Sequence, residues 1–235
     1  NVNFERMTYN EAIESYGIDK PDLRYGLKIN EISDEVKGKG FQIFDNNDFT
    51  ASIIVENKSE TTRKEIDNLT EWVKRPQIGG TGLLWIKYNA DSSVKSSFDK
   101  FFGEKDLKQI LNKVSSKPGD ILFIMSGDKK NTLEQMGSLR VELAKRFDLI
   151  DQNKMCPLWV TDFPLFEWDE VEKRFLSMHH PFTSPKPGFL TQLESDPGKV
   201  IANAYDLVLN GNEIGGGSIR IHSFDTQMKV FELLG

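Results

Sequence analysis

The stretch Asp206-Leu-Val-Leu-Asn-Gly-Asn-Glu213-Ile-Gly-Gly-Gly-Ser218-Ile-Arg220 constrains the fold more than any other part of this chain. Asn-Gly between apolar runs is the strongest short-range hairpin signal, because a type I′ turn needs positive φ at both central residues. The turn sets a register: Leu209 opposite Asn212, Val208 opposite Glu213, Leu207 opposite Ile214. Side chains alternate along a strand, so Asp206 points the same way as Val208 and Glu213. Asp206 and Glu213 become diagonal neighbours, roughly 7–8 Å apart at Cα. Carboxylates so placed can share a divalent cation, and without a positive partner they repel.

The triplet Gly215-Gly216-Gly217 costs entropy and packs nothing, so it suits a bulge or a ligand lying against the backbone. By strict alternation Arg220 and Glu213 face opposite ways. One extra residue within 215–217 brings both to one face. An ordinary glycine-bulged hairpin with a solvated arginine explains this stretch equally well. Two of the chain's 3 histidines are adjacent in Met178-His179-His180-Pro181-Phe182-Thr183-Ser184-Pro185. Such a loop is a candidate for binding anions or metals, the alternative being an incidental surface pair.

The 235 residues carry net charge −6, mean hydropathy −0.45 and a single Cys156, which rules out an intrachain disulfide. Neither a signal peptide nor an eighteen-residue apolar run is present, so a cytoplasmic protein is expected. Residues 1–30 sum to −1, 31–150 to zero and 151–235 to −5. The acidity thus sits in the flanks, and no basic stripe for nucleic acid stands out.

Local signals place a helix over 8–16, with Thr8 as N-cap and Glu11 at the capping-box position. Strands are expected at Phe41–Phe44 and Ala51–Glu56 on either side of an Asn-Asn turn. Apolar spacing predicts helices over Thr62–Arg75 and Asp106–Val114, and one from Asn131 or Thr132 to about Phe147. Leu83–Tyr88, Ile121–Met125, Leu158–Phe163 and Phe175–Met178 read as strands. Gly79-Gly-Thr-Gly82 lacks the Lys-Ser/Thr of a phosphate loop. Trp159, Phe163, Phe166 and Trp168 read as packing residues.

Several longer motifs, taken together with the hairpin, resemble bacterial-type aspartyl-tRNA synthetases. They are Met7-Thr-Tyr-Asn-Glu-Ala-Ile13, Tyr16-Gly-Ile-Asp-Lys-Pro-Asp-Leu-Arg24, Trp159-Val-Thr-Asp-Phe-Pro-Leu-Phe-Glu-Trp168, His179-His-Pro-Phe-Thr-Ser-Pro185, Glu194-Ser-Asp-Pro-Gly-Lys199 and Ala204-Tyr-Asp-Leu-Val-Leu-Asn-Gly211 through His222. The resemblance implies an α+β fold. Residues 1–31 and 151–235 would be parts of a class II antiparallel catalytic core. Residues 32–150 would be an insertion (GAD) domain, a two-layer unit with a mainly antiparallel sheet.

The resemblance also implies a function. Aspartate would attack ATP to give aspartyl-adenylate, and tRNA would then take the aspartyl group, in an enzyme expected to be a homodimer. Glu213, which also contacts ATP, and Asp206 would hold Mg²⁺. Arg220 would pair with the side-chain carboxylate of L-aspartate, with His179, His180 and Ser218 beside it. Gly215, Gly216 and Gly217 would let substrate approach the backbone. The second and third class II signature motifs, with their phosphate-binding arginines, are not found here. Residues 1–235 are therefore expected to be a segment between those motifs, inactive alone. The alternative is a non-catalytic tRNA-binding or interaction module.

Overall fold

A computed structural model describes residues 4–235; the first three residues of the 1–31 segment lie outside the described residues. The chain opens with β1 (Glu5–Thr8) and α1 (Tyr9–Tyr16). Thr8 caps α1 as its sequence requires: the Glu11 backbone N–H donates to Thr8 Oγ1 at 3.2 Å, and the Thr8 backbone N–H donates to Glu11 Oε2 at 2.8 Å.

There follow β2 (Ile29–Glu31), α2 (Ser33–Val36), α3 (Gln42–Asp45), β3 (Phe49–Val55), α4 (Arg63–Val73), β4 (Leu84–Tyr88), β5 (Val94–Ser96), α5 (Glu104–Lys113), β6 (Ile121–Gly127) and α6 (Lys129–Arg146). Then come β7 (Pro157–Thr161), β8 (Phe166–Asp169), β9 (Arg174–Ser177), α7 (Gln192–Ser195), β10 (Ala204–Leu209), β11 (Asn212–Ser218) and α8 (Phe224–Leu234).

The chain divides into two compact units. One comprises the N-terminal segment to Ala12, Asp19–Arg24 and Asn153–Gly235; the other comprises Ile13–Ile18 and Tyr25–Gln152. The second unit thus takes in residues 13–18, 25–31 and 151–152, which the sequence grouped with the core.

In this second unit a five-stranded sheet runs β2-β3-β6-β4-β5, and every pair is antiparallel. Helices cover both faces, where the sequence suggested two layers. Phe123 and Met125 pack with Leu69 of α4 and Leu139 of α6, while Leu122 and Ile124 pack with Ile110 and Leu111 of α5. The unbroken apolar run Ile121–Met125 reflects this, since a strand buried on both faces does not alternate.

Phe41–Phe44 is not a strand. Phe41 N-caps the single turn α3, and its ring joins Phe44, Phe98, Phe101 and Phe102 in an aromatic cluster. The packing of these rings overrides a local strand preference. Helix α4 carries the Thr62/Glu65 capping box. Helix α6 is capped by Asp128, three to four residues before the expected caps, through Asn131 N to Asp128 Oδ1 at 3.0 Å.

The first unit holds the sheet β1-β7-β10-β11 and the hairpin β8-β9. Its β1–β7 pair is parallel, a pairing that no local signal announces. Leu158, Val160, Ala204 and Val208 on one face of the sheet pack with Phe163, Leu193, Val200 and Val230.

Candidate functional site

The site is built on the β10–β11 hairpin. Asn210 and Gly211 have φ of 52° and 81°, as a type I′ turn demands. The Asn210 side chain fastens the turn to the start of β7. Cys156 N donates to Asn210 Oδ1 at 2.9 Å, and Asn210 Nδ2 donates to Lys154 O at 3.0 Å. Beneath the turn, a Cβ on Gly211 would lie 3.1 Å from Cβ of Asp22. Asp22 itself grips Arg24, whose Nη2 donates to Asp22 Oδ2 at 2.7 Å.

Leu209 pairs with Asn212 and Val208 with Glu213, as the turn dictates. Leu207 then pairs with Gly215 rather than Ile214. The bulge therefore falls at Ile214, one residue before the glycine triplet. It has the effect anticipated from a bulge inside the triplet. Gly216 comes opposite Asp206 and Ser218 opposite Ala204, so Glu213, Gly216, Ser218 and Arg220 share the parity of Asp206.

The three glycines do different things. A Cβ on Gly215 would meet nothing within 4 Å. One on Gly216 would fall 2.4 Å from Asp206 Oδ1, and one on Gly217 would fall 2.8 Å from the Tyr205 hydroxyl. Open backbone thus describes Gly215, while Gly216 makes room for a carboxylate.

The histidine loop is tied to the arginine segment through the backbone. Ser184 N donates to Ile219 O at 2.8 Å and Ile221 N donates to Phe182 O at 2.9 Å, flanking a bridge between Thr183 and Arg220. Thr183 is buried, and its Oγ1 donates to Ser218 Oγ at 3.4 Å.

His179 reaches the carboxylate hairpin, with Nε2 3.9 Å from Asp206 Oδ2. His180 does not join it: its ring lies 4.9 Å from the Phe182 ring, and its Nδ1 accepts from Phe182 N at 3.2 Å. Neither Glu213 nor Arg220 has an ion-pair partner among the described residues, and both are exposed.

Sequence reasoning missed a second ion pair. Lys186 bonds Asp162, a residue with φ of 61° at the end of β7, and Thr161 Oγ1 donates to Asp162 Oδ2 at 3.0 Å. The hydrogen bond from Lys186 holds the Asp162 carboxyl below the usual carboxylate range, against partial burial, which pushes it up. The signal that could have revealed it is Thr-Asp-Phe-Pro, because Asp tolerates the left-handed region and commonly ends strands there.

Two carboxylates on one face suit magnesium, which binds through one or two carboxylates plus waters and substrate phosphates. The absence of a Cβ at Gly216 is what lets the Asp206 carboxylate lie over the strand, since a Cβ there would fall 2.4 Å from Asp206 Oδ1. No group of three or more His, Cys, Asp or Glu suited to a metal occurs among the described residues, which argues against a closed all-protein metal cage.

A mixed four-stranded sheet carries the carboxylate hairpin, and a second α+β unit is inserted in the chain between its strands. Residues 1–235 match the family described as tRNA synthetases class II (D, K and N), and the chain belongs to that family. It is 50% identical over 234 residues to an aspartate–tRNA ligase of Parabacteroides distasonis, covering 99% of this chain and 40% of that protein. It is 49% identical to the aspartate–tRNA ligase of Porphyromonas gingivalis and 50% identical to that of Flavobacterium psychrophilum, again over 99% of this chain and 40% of each protein. The chain therefore spans about 40% of the length of these curated relatives.

Proposed function

We propose that this chain is part of an aspartate–tRNA ligase that activates L-aspartate with ATP and transfers it to tRNA. The observation that carries the reading is the bulge at Ile214, which gives Asp206, Glu213, Ser218 and Arg220 one parity on the hairpin. Little covalent chemistry falls to the protein in such a reaction, so its contribution is positioning and charge neutralisation.

Arg220 offers a planar fork that forms two parallel bonds with a carboxylate. Against the amide of asparagine it would set donors against donors. Having no competing ion pair among the described residues, it is available to a substrate. Ser218, held by Thr183, presents a hydroxyl beside it. His179 adds donor character next to Asp206, while His180 shapes the loop. Gly215 leaves the strand backbone open to substrate.

Asp206 and Glu213 would hold a Mg²⁺, which when bound supplies charge neutralisation of ATP phosphate oxygens. Glu213 would contact ATP as well. A homodimeric parent in the cytoplasm belongs to the same reading. In support, no helix among the described residues is long and apolar enough to cross a membrane. Residues 1–235 alone would not catalyse, because the other 60% or so of each relative's length is where the remaining phosphate-binding groups would lie.

The test is aspartate-dependent ATP–pyrophosphate exchange by the full-length protein, wild type and Arg220→Lys. Replacing a bidentate charged contact with a point charge costs about 1.5–3 kcal/mol. That predicts a fall in kcat/KM for aspartate of roughly 10- to 100-fold, with KM for ATP little changed. Exchange by the wild-type protein that does not depend on aspartate would overturn the reading.

A further inference from the structure

We infer that Phe163 is a positioning residue that fixes the His179 ring beside Asp206, an inference that rests on the function proposed above. Phe163 is 1% exposed, and its ring meets that of His179 edge to face, with centroids 4.6 Å apart and planes at 87°. The Tyr9 ring also meets Phe163, with centroids 5.3 Å apart. His179 is therefore held against a rigid aromatic surface, its Nε2 directed at Asp206 Oδ2 3.9 Å away. The imidazole of a loop residue would otherwise sample several χ1 and χ2 states, and ordering it at the moment of binding would weaken aspartate binding.

The backbone around Phe163 is built to hold this ring. The preceding residue, Asp162, lies in the left-handed region at φ 61°, a conformation that non-glycine residues adopt at a cost. It is retained by Lys186 and by Thr161 Oγ1. Its effect is to turn the chain at the end of β7, so that Phe163 leaves the strand's alternation. Ala202 N then donates to Phe163 O at 2.8 Å and pins the turned residue. The Thr-Asp-Phe-Pro motif thus acquires a purpose. A strained aspartate delivers an aromatic ring to the histidine loop, and the carboxylate that the histidine faces belongs to the hairpin. Phe163 touches no substrate in this scheme and acts only through His179.

The experiment uses the full-length protein and three variants: Phe163→Leu, the milder Phe163→Met, and Phe166→Leu as a control. Phe166 is 3% exposed in the same core and its ring meets that of Phe175 at 5.9 Å, tilted by 48°, so its loss makes a comparable void while leaving the Phe163 ring against His179. Both Phe163 variants are expected to raise KM for aspartate about fivefold or more in ATP–pyrophosphate exchange, leaving KM for ATP within twofold. The control is expected to leave the aspartate KM at its wild-type value while lowering the melting temperature by a similar amount. The imidazole ¹⁵N and ¹H resonances of His179 should also shift toward a mobile side chain in the Phe163 variants only. If wild-type exchange is aspartate-dependent but Phe163→Met and Phe166→Leu change the aspartate KM equally, Phe163 is ordinary core and the inference falls. If wild-type exchange does not need aspartate, the proposed function falls instead.

Discussion

Adding one methyl group at successive positions of the glycine triplet separates the roles of its three residues. In Gly216→Ala, the new Cβ would sit 2.4 Å from Asp206 Oδ1 and 3.2 Å from Tyr205 O. An ordinary contact needs about 3.4 Å or more, so the carboxylate must retreat by about 1 Å. The Asp206 side chain is only 13% exposed and lies beside His179, which limits where it can go. Overpacking of this kind costs about 1–3 kcal/mol of stability. A displacement of about 1 Å at a reacting centre can cost on the order of 100-fold in rate.

Gly215→Ala meets nothing within 4 Å at an ordinary φ. It should stabilise by about 0.4–1 kcal/mol, by restricting the unfolded chain. Gly217→Ala presses on the ring of Tyr205, which is 43% exposed and can swing away, so a small effect is expected. The assay is Mg²⁺-dependent ATP–pyrophosphate exchange by the full-length protein, titrated in Mg²⁺, with thermal unfolding alongside. Gly216→Ala should lower the melting temperature and need more Mg²⁺ for half-maximal rate, whereas Gly215→Ala should leave both unharmed and act only on KM for aspartate, through the backbone it leaves open to substrate. If Gly215→Ala and Gly216→Ala raise the Mg²⁺ requirement equally, the assignment of Gly216 as the seat of the Asp206 carboxylate is wrong.

Two further outcomes follow from other contacts. A Cβ on Gly137 of α6 would lie 2.7 Å from Gly17 O and 2.9 Å from Tyr16 O, backbone atoms that cannot swing aside. Gly137→Ala should therefore destabilise by about 2 kcal/mol or more in urea melts, despite the gain in helix propensity, and an unchanged midpoint would refute the close approach. The Asp162 carboxyl is held below its ordinary value by Lys186. Its contribution to stability is complete above the unfolded value, near 3.8, and is lost as pH falls through the lower folded value. Asp162→Asn should thus be less stable than wild type at pH 7, with the gap closing below about pH 4. A gap independent of pH would mean that the carboxylate charge contributes nothing.

Features that depend on a few neighbouring residues were legible in the sequence. The Thr8/Glu11 box forms within four residues, and its helix begins where the letters place it. Asn210-Gly211 supplies positive φ locally, so the hairpin and its first two pairs were readable. The need for one extra residue between Glu213 and Arg220 was also readable, as a matter of parity. Family membership likewise follows from motifs in the letters.

Tertiary structure decided the rest. The bulge settled at Ile214, since each position between Glu213 and Arg220 gives the same parity and only pairing with β10 chooses among them. Phe41–Phe44 lost its strand because Phe98, Phe101 and Phe102, more than fifty residues away in sequence, offered the rings a better burial. The parallel pairing of β1 with β7 and the approach of His179 to Asp206 likewise join distant residues, and no local preference encodes them. Backbone propensity acts over a few residues, whereas burial and pairing are settled between segments that meet only once the chain has folded.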